Sequence, residues 1–101
     1  MVSQVRLYVT GDVTRVGFRA WARMLAKQHG INGWVRDNYD RDDIFGPGGG
    51  IEIVAQADEG ELVGFVEQIQ AGSQISHVEH VEVMIEKPME MFDSFEVRAT
   101  V

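Results

Sequence analysis

The run Val5-Arg6-Leu7-Tyr8-Val9-Thr10-Gly11-Asp12-Val13-Thr14-Arg15-Val16-Gly17-Phe18-Arg19 leads from one structural period into another. Val5 to Thr10 alternate apolar and polar, as a strand with one covered face does, whereas Phe18, Trp21, Ala22, Leu25 and Ala26 recur at helical spacing. The residues from Gly11 to Gly17 therefore form a loop that empties into a helix N terminus. First-turn N–H groups lack intrahelical partners and the helix dipole favours negative charge there, so the junction suits a phosphate-sized anion. Arg19 adds a planar, permanently charged fork beside those amides.

Outward from this junction, the helix is expected from about Phe18 to His29, with Gly30 as its stop. Gly33-Trp34-Val35-Arg36 reads as a short strand. Residues 37 to 50 are polar and acidic, then glycine-rich at Gly46-Pro47-Gly48-Gly49-Gly50, and are expected to form a long mobile connection. A strand follows at Ile51 to Gln56, and Leu62, Phe65, Val66 and Ile69 form a second helical stripe that ends near Gly72. His77 to Glu86 alternate again, as do Phe95, Val97, Ala99 and Val101, with Pro88 between the two runs. The order β-α-β-β-α-β plus a terminal strand predicts an α+β, ferredoxin-like split βαβ fold: an antiparallel sheet with two helices on one face, in a single domain over residues 1–101.

Composition narrows the chemistry. The absence of cysteine excludes a disulfide framework, a thiolate zinc site, an iron–sulfur cluster and a cysteine nucleophile. The opening Met1-Val2-Ser3-Gln4 lacks a secretory leader pattern and no stretch approaches the roughly 18 apolar residues of a membrane span, so a cytoplasmic location without a membrane partner is expected. A net charge of -7 repels long polyanions, and Ile51 to Gln56 offers none of the aromatic and basic residues of an RNA-binding sheet; no nucleic-acid partner is expected. Five of the nine basic residues, Arg6, Arg15, Arg19, Arg23 and Lys27, nevertheless fall in the first strand, loop and helix, which concentrates anion affinity there.

The remaining polar clusters read as structural. His29, His77 and His80 show no metal spacing, and Asp40-Arg41-Asp42-Asp43 lacks the ordered ligand positions of a calcium loop, so neither metal nor cofactor is expected. Glu52, Glu79, Glu82 and Glu86 read as a solvated strand face. Trp21 and Trp34 read as packing residues, and Met84, Met89 and Met91 as edge and loop filling.

Gly11, Val13, Val16, Phe18 and Arg19, then Gly30, Gly33, Trp34 and Val35, together with the Ile51-Glu52-Ile53-Val54-Ala55 strand, Phe65 and Asp93-Ser94-Phe95, resemble the acylphosphatases over nearly the whole chain. The resemblance implies a small, metal-independent, monomeric hydrolase that splits an acyl phosphate into carboxylate and orthophosphate. It places the phosphate on Arg19 and on the amides of Thr14, Arg15, Val16, Gly17 and Phe18, with an asparagine orienting the attacking water. Such chemistry needs positioning and charge stabilisation, because a carboxylate leaves readily without a general acid.

Two positions depart from the family pattern. Arg15 replaces the middle glycine of the loop; if φ is positive there, a side chain costs about 1 kcal/mol or more. Arg15 is either a solvated loop arginine or a second guanidinium on the phosphate. Asp37 occupies the position of the family's asparagine, with Asn38 one place later, and a one-residue bulge would exchange which of them faces the site. A carboxylate there accepts a hydrogen bond from water but repels the anion. The alternative to a hydrolase is thus a non-catalytic, regulatory module that keeps the anion cradle.

Overall fold

The computed structural model describes residues 1–101, in the order β1 (Ser3–Asp12), α1 (Phe18–Gln28), β2 (Asn32–Asn38), α2 (Asp42–Phe45), β3 (Gly50–Ala57), α3 (Glu59–Ala71), β4 (His77–Glu86) and β5 (Phe95–Val97). The strands lie in the order β4-β1-β3-β2-β5. The first four pair antiparallel, as the ferredoxin-like pattern requires, while β5 runs parallel to β2. The sheet is therefore mixed rather than wholly antiparallel. Residues 87–94 carry the chain from the end of β4 to the far edge, where it enters in the direction of β2. No helix is long and apolar enough to cross a membrane.

Alternation in the strands decides which residues meet the helices. Val5, Leu7 and Val9 of β1 stand opposite Ala55, Ile53 and Ile51 of β3, and with Val35 of β2 they form the core with Phe18, Ala22, Leu25 and Ala26 of α1 and Leu62, Phe65 and Ile69 of α3. Between β2 and β3 the backbones approach closely at Gly33, where φ is 141° and an added Cβ would lie 1.9 Å from the Val54 carbonyl oxygen. Only glycine fits there.

The second face of the sheet is also covered, which overturns one expectation. Glu52 is not on a solvated face; it is buried at the centre of β3, where Arg36 Nε donates to it at 2.8 Å, Asn38 Nδ2 at 3.0 Å, and the Arg6 guanidinium reaches its other oxygen. A buried carboxylate is tolerable when its lone pairs are occupied in this way. Glu86 is similarly engaged by Arg6 at 2.7 Å and Gln4 at 2.9 Å, so of the four glutamates only Glu79 and Glu82 are simply exposed on the edge strand. Trp34 is buried as a packing residue beneath the guanidiniums of Arg6, Arg36 and Arg98, which lie 5.7, 4.8 and 4.8 Å from its ring.

Residues 37 to 50 are not the free connection that their composition predicts. β2 runs on to Asn38, the Tyr39 amide donates to the Val101 carbonyl at 2.7 Å, and α2 places Phe45 edge-on against Tyr8 with ring centroids 5.4 Å apart. A strand extension, a backbone bond and one aromatic contact thus hold an otherwise polar segment to the sheet.

Candidate active site

Both ends of the β1–α1 loop are anchored in the core, by Val13 and Phe18, and between them Arg15 and Gly17 are exposed while Val16 packs half-buried against the core. At the entrance the β1–β4 register shifts between Thr10 and Gly11; Gly11 has φ 126°, and a Cβ would lie 2.2 Å from the His77 carbonyl oxygen. Arg15 adopts φ 64°, the only non-glycine residue with positive φ, so the loop holds a left-handed turn on a residue with a side chain.

The helix that follows is capped against the usual rules. Gly17 precedes α1 without a side-chain cap, and the first turn holds no acidic residue. No amide from Thr14 to Ala20 donates to a carbonyl or side chain, and the first loop-to-helix bond is Trp21 N–H to the Gly17 carbonyl at 3.1 Å. Arg19 brings positive charge where the dipole already favours an anion. Uncapped amides together with a like-signed side chain leave donors and positive charge here that nothing in the fold itself uses.

The cleft beside this turn measures about 220 Å³ and is lined by Arg15, Gly17, Phe18, Arg19, Asp37 and, on its apolar wall, Val13, Ala20 and Val97. Arg23 donates from α1 to the Phe95 carbonyl at 3.2 Å, tying the helix to the strand that carries Val97. Arg19 Nε stands 3.4 Å from Asp37 Oδ2; the arginine side chain is 41% exposed and the aspartate side chain 10%. The other carboxylate oxygen, Oδ1, is buried without a hydrogen-bond partner. Burial pushes the Asp37 carboxyl above the ordinary carboxylate range, and the Arg19 guanidinium opposes this only in part.

The structure separates the two candidates on β2. Asp37 lies on the helix-side face with Val35 and meets Arg19, whereas Asn38 turns to the opposite face, donating to Glu52 and accepting from the Asp40 amide at 2.8 Å. Asn38 therefore does not reach the cleft. The cause is the pleat: β2 pairs with β3 in unbroken register from Asn32 to Asn38, with no bulge to exchange the faces. Arg15 is exposed and lines the cleft, and Thr14 and Val16 contribute free amides. Val97 and Ala20 were not marked by the sequence pattern; the alternation at Phe95 and Val97 gives a strand but not its parallel place beside β2.

An α+β fold with uncapped amides and a guanidinium facing a carboxylate across a small cleft defines a small anion-handling domain. The acylphosphatase family model matches residues 5–97. An acylphosphatase of Lactobacillus johnsonii is 39% identical over 94 residues, covering 92% of this chain and 94% of that relative. The crystal structure of the Bacillus subtilis acylphosphatase matches with a TM-score of 0.82 at 35% identity, over 97% of this chain and 99% of that one. A Coxiella burnetii acylphosphatase structure shares the fold at a TM-score of 0.83 and 24% identity, over 96% and 93% of the two chains. The chain belongs to the acylphosphatase family.

Proposed function

We propose that residues 1–101 act as one acylphosphatase domain that hydrolyses acyl phosphates in the Arg19–Asp37 cleft. The carrying observation is the run of unpartnered amides from Thr14 to Ala20 beside the Arg19 guanidinium. These donors hold the phosphoryl oxygens, Arg15 adds charge at the rim, and Asp37 accepts a hydrogen bond from the water that attacks. The water oxygen bonds to phosphorus as the bond from phosphorus to the acyl oxygen breaks. The electron pair of that bond leaves on the carboxylate, and the proton of the water passes to the orthophosphate and solvent. The donors neutralise charge on the transferring phosphoryl group, so the step asks for no metal.

Relatives that carry the name acylphosphatase across nine-tenths of this chain favour the hydrolase over the non-catalytic module. The net charge favours a small anionic substrate over nucleic acid. A cytoplasmic monomer is the matching proposal for location and assembly. Benzoyl phosphate consumption, followed by ultraviolet absorbance in excess chelator, tests the reading: turnover with competitive inhibition by orthophosphate is expected. Phosphate binding without turnover would overturn it in favour of the regulatory module.

A further inference from the structure

The cradle loop has a second side. Across Gly17 from the Arg19–Asp37 cleft lies another, of about 500 Å³, lined by Val16, Gly17, Trp21, Ser73, Gln74 and Ile75. None of these side chains is ionisable, in a chain where a quarter of the residues are charged. Trp21 packs one side of its ring on Phe18, with centroids 5.2 Å apart, and remains partly exposed. Ile75 is 71% exposed at the tip of the α3–β4 turn. That turn is fixed: the Ser73 amide and hydroxyl donate to Ser76 Oγ at 2.8 and 3.0 Å, and the Ser76 amide returns to the Ser73 carbonyl at 3.3 Å. The fold thus holds an isoleucine in water on a rigid support beside the anion cradle, an arrangement that invites an apolar ligand.

The direction of the reaction points to the same place. Attack and departure are roughly in line across phosphorus. With the water on the Asp37 side, the acyl oxygen leaves from the far side of the phosphorus, and the cleft lined by Val16, Trp21 and Ile75 is the one that shares Gly17 with the phosphate cleft. The geometry points to this cleft as the acyl subsite, which takes an uncharged apolar acyl group, aromatic or branched, and makes the enzyme selective for such acyl phosphates over acetyl phosphate. This rests on the proposed phosphate site.

The test is the ratio of kcat/KM for benzoyl phosphate to that for acetyl phosphate, compared between parent and variants so that the intrinsic reactivity of each substrate cancels. Because the cleft is open, Ile75→Ser is expected to lower the ratio about threefold to tenfold, at or below the low end of what an enclosed apolar pocket contributes. Ile75→Trp is expected to raise it. Ile85→Ser alters an exposed isoleucine on β4 outside both clefts and leaves the ratio at the parental value. A ratio unmoved by both Ile75 variants overturns the acyl subsite while the phosphate site stands. A parent that hydrolyses neither substrate overturns the phosphate site itself, and the acyl subsite with it.

Discussion

Replacing Asp37 with asparagine keeps the shape of the side chain and removes its charge. In the parent, one carboxylate oxygen is buried without a partner and the other has a half-exposed guanidinium 3.4 Å away. Asparagine still leaves a polar atom at that buried position, so the substitution removes only the desolvation cost of the charge, which burial makes larger than the about 0.2–1 kcal/mol that an exposed-type ion pair returns. Asp37→Asn is therefore expected to stabilise the free protein by about 1 kcal/mol at pH 7, or about 4–8 °C in Tm for a domain of this size. The same carboxylate opposes a bound phosphate. A unit charge about 5 Å away, at an effective dielectric of about 20–80, contributes roughly 1–3 kcal/mol, so the Ki of orthophosphate should fall about tenfold in the variant.

Both effects have a defined pH dependence. Burial raises the folded-state pKa of Asp37, so its stabilising contribution is fully present below the unfolded-state value and is lost as pH rises through the folded-state value. The variant's advantage in Tm should be small at low pH, where the parental carboxyl is also neutral, and should open as pH rises. The variant-to-parent ratio of Ki cancels the titration of phosphate itself and should follow the same course. Thermal melts and phosphate inhibition measured across that range decide the matter. A variant less stable than the parent at pH 7, or a Ki ratio of one throughout, would refute the reasoning.

Three further outcomes follow from the fold. Arg15→Gly releases a left-handed side chain and should stabilise the protein by about 0.5–1 kcal/mol after the greater unfolded-state freedom of glycine is subtracted, while removing a rim charge should raise the orthophosphate Ki; denaturant midpoints and inhibition constants separate the two. Glu52→Ala strands Arg36, leaves Arg6 only its Glu86 partner and frees Asn38, and should cost about 3 kcal/mol in urea unfolding, the lower end for a broken buried pair because both arginines keep some solvent and Arg6 keeps a partner. Gly33→Ala forces β2 away from Val54 and should cost more than about 2 kcal/mol, read as a drop in Tm.

The order of elements was legible because periodicity is local: Val5 to Thr10 and the Phe18, Trp21, Leu25 spacing each declare themselves within a few residues. The junction between them was legible for the same reason. Long-range facts were not. Glu52 reads as solvent-facing from alternation alone, yet the far side of its strand is roofed by Arg6, Arg36 and residues from the chain's other end. The 37–50 segment reads as free from its polar composition, whereas Phe45 on Tyr8 and the backbone bond from Tyr39 to Val101 hold it, contacts that local pattern does not reveal. The choice between Asp37 and Asn38 required the register of β2 on β3, which pairing fixes and sequence leaves open.

The most direct measurement is kcat/KM for benzoyl phosphate in Arg19→Ala, with a thermal melt to confirm folding. Arg19 is partly exposed and its only carboxylate partner is Asp37, so the fold tolerates its loss. Removing the one guanidinium in the cleft that faces Asp37 should lower kcat/KM about a thousandfold, in the range seen when a phosphoryl-stabilising cation is deleted. A folded variant that retained kcat/KM within a small factor of the parent would contradict the assignment of phosphate to this cleft.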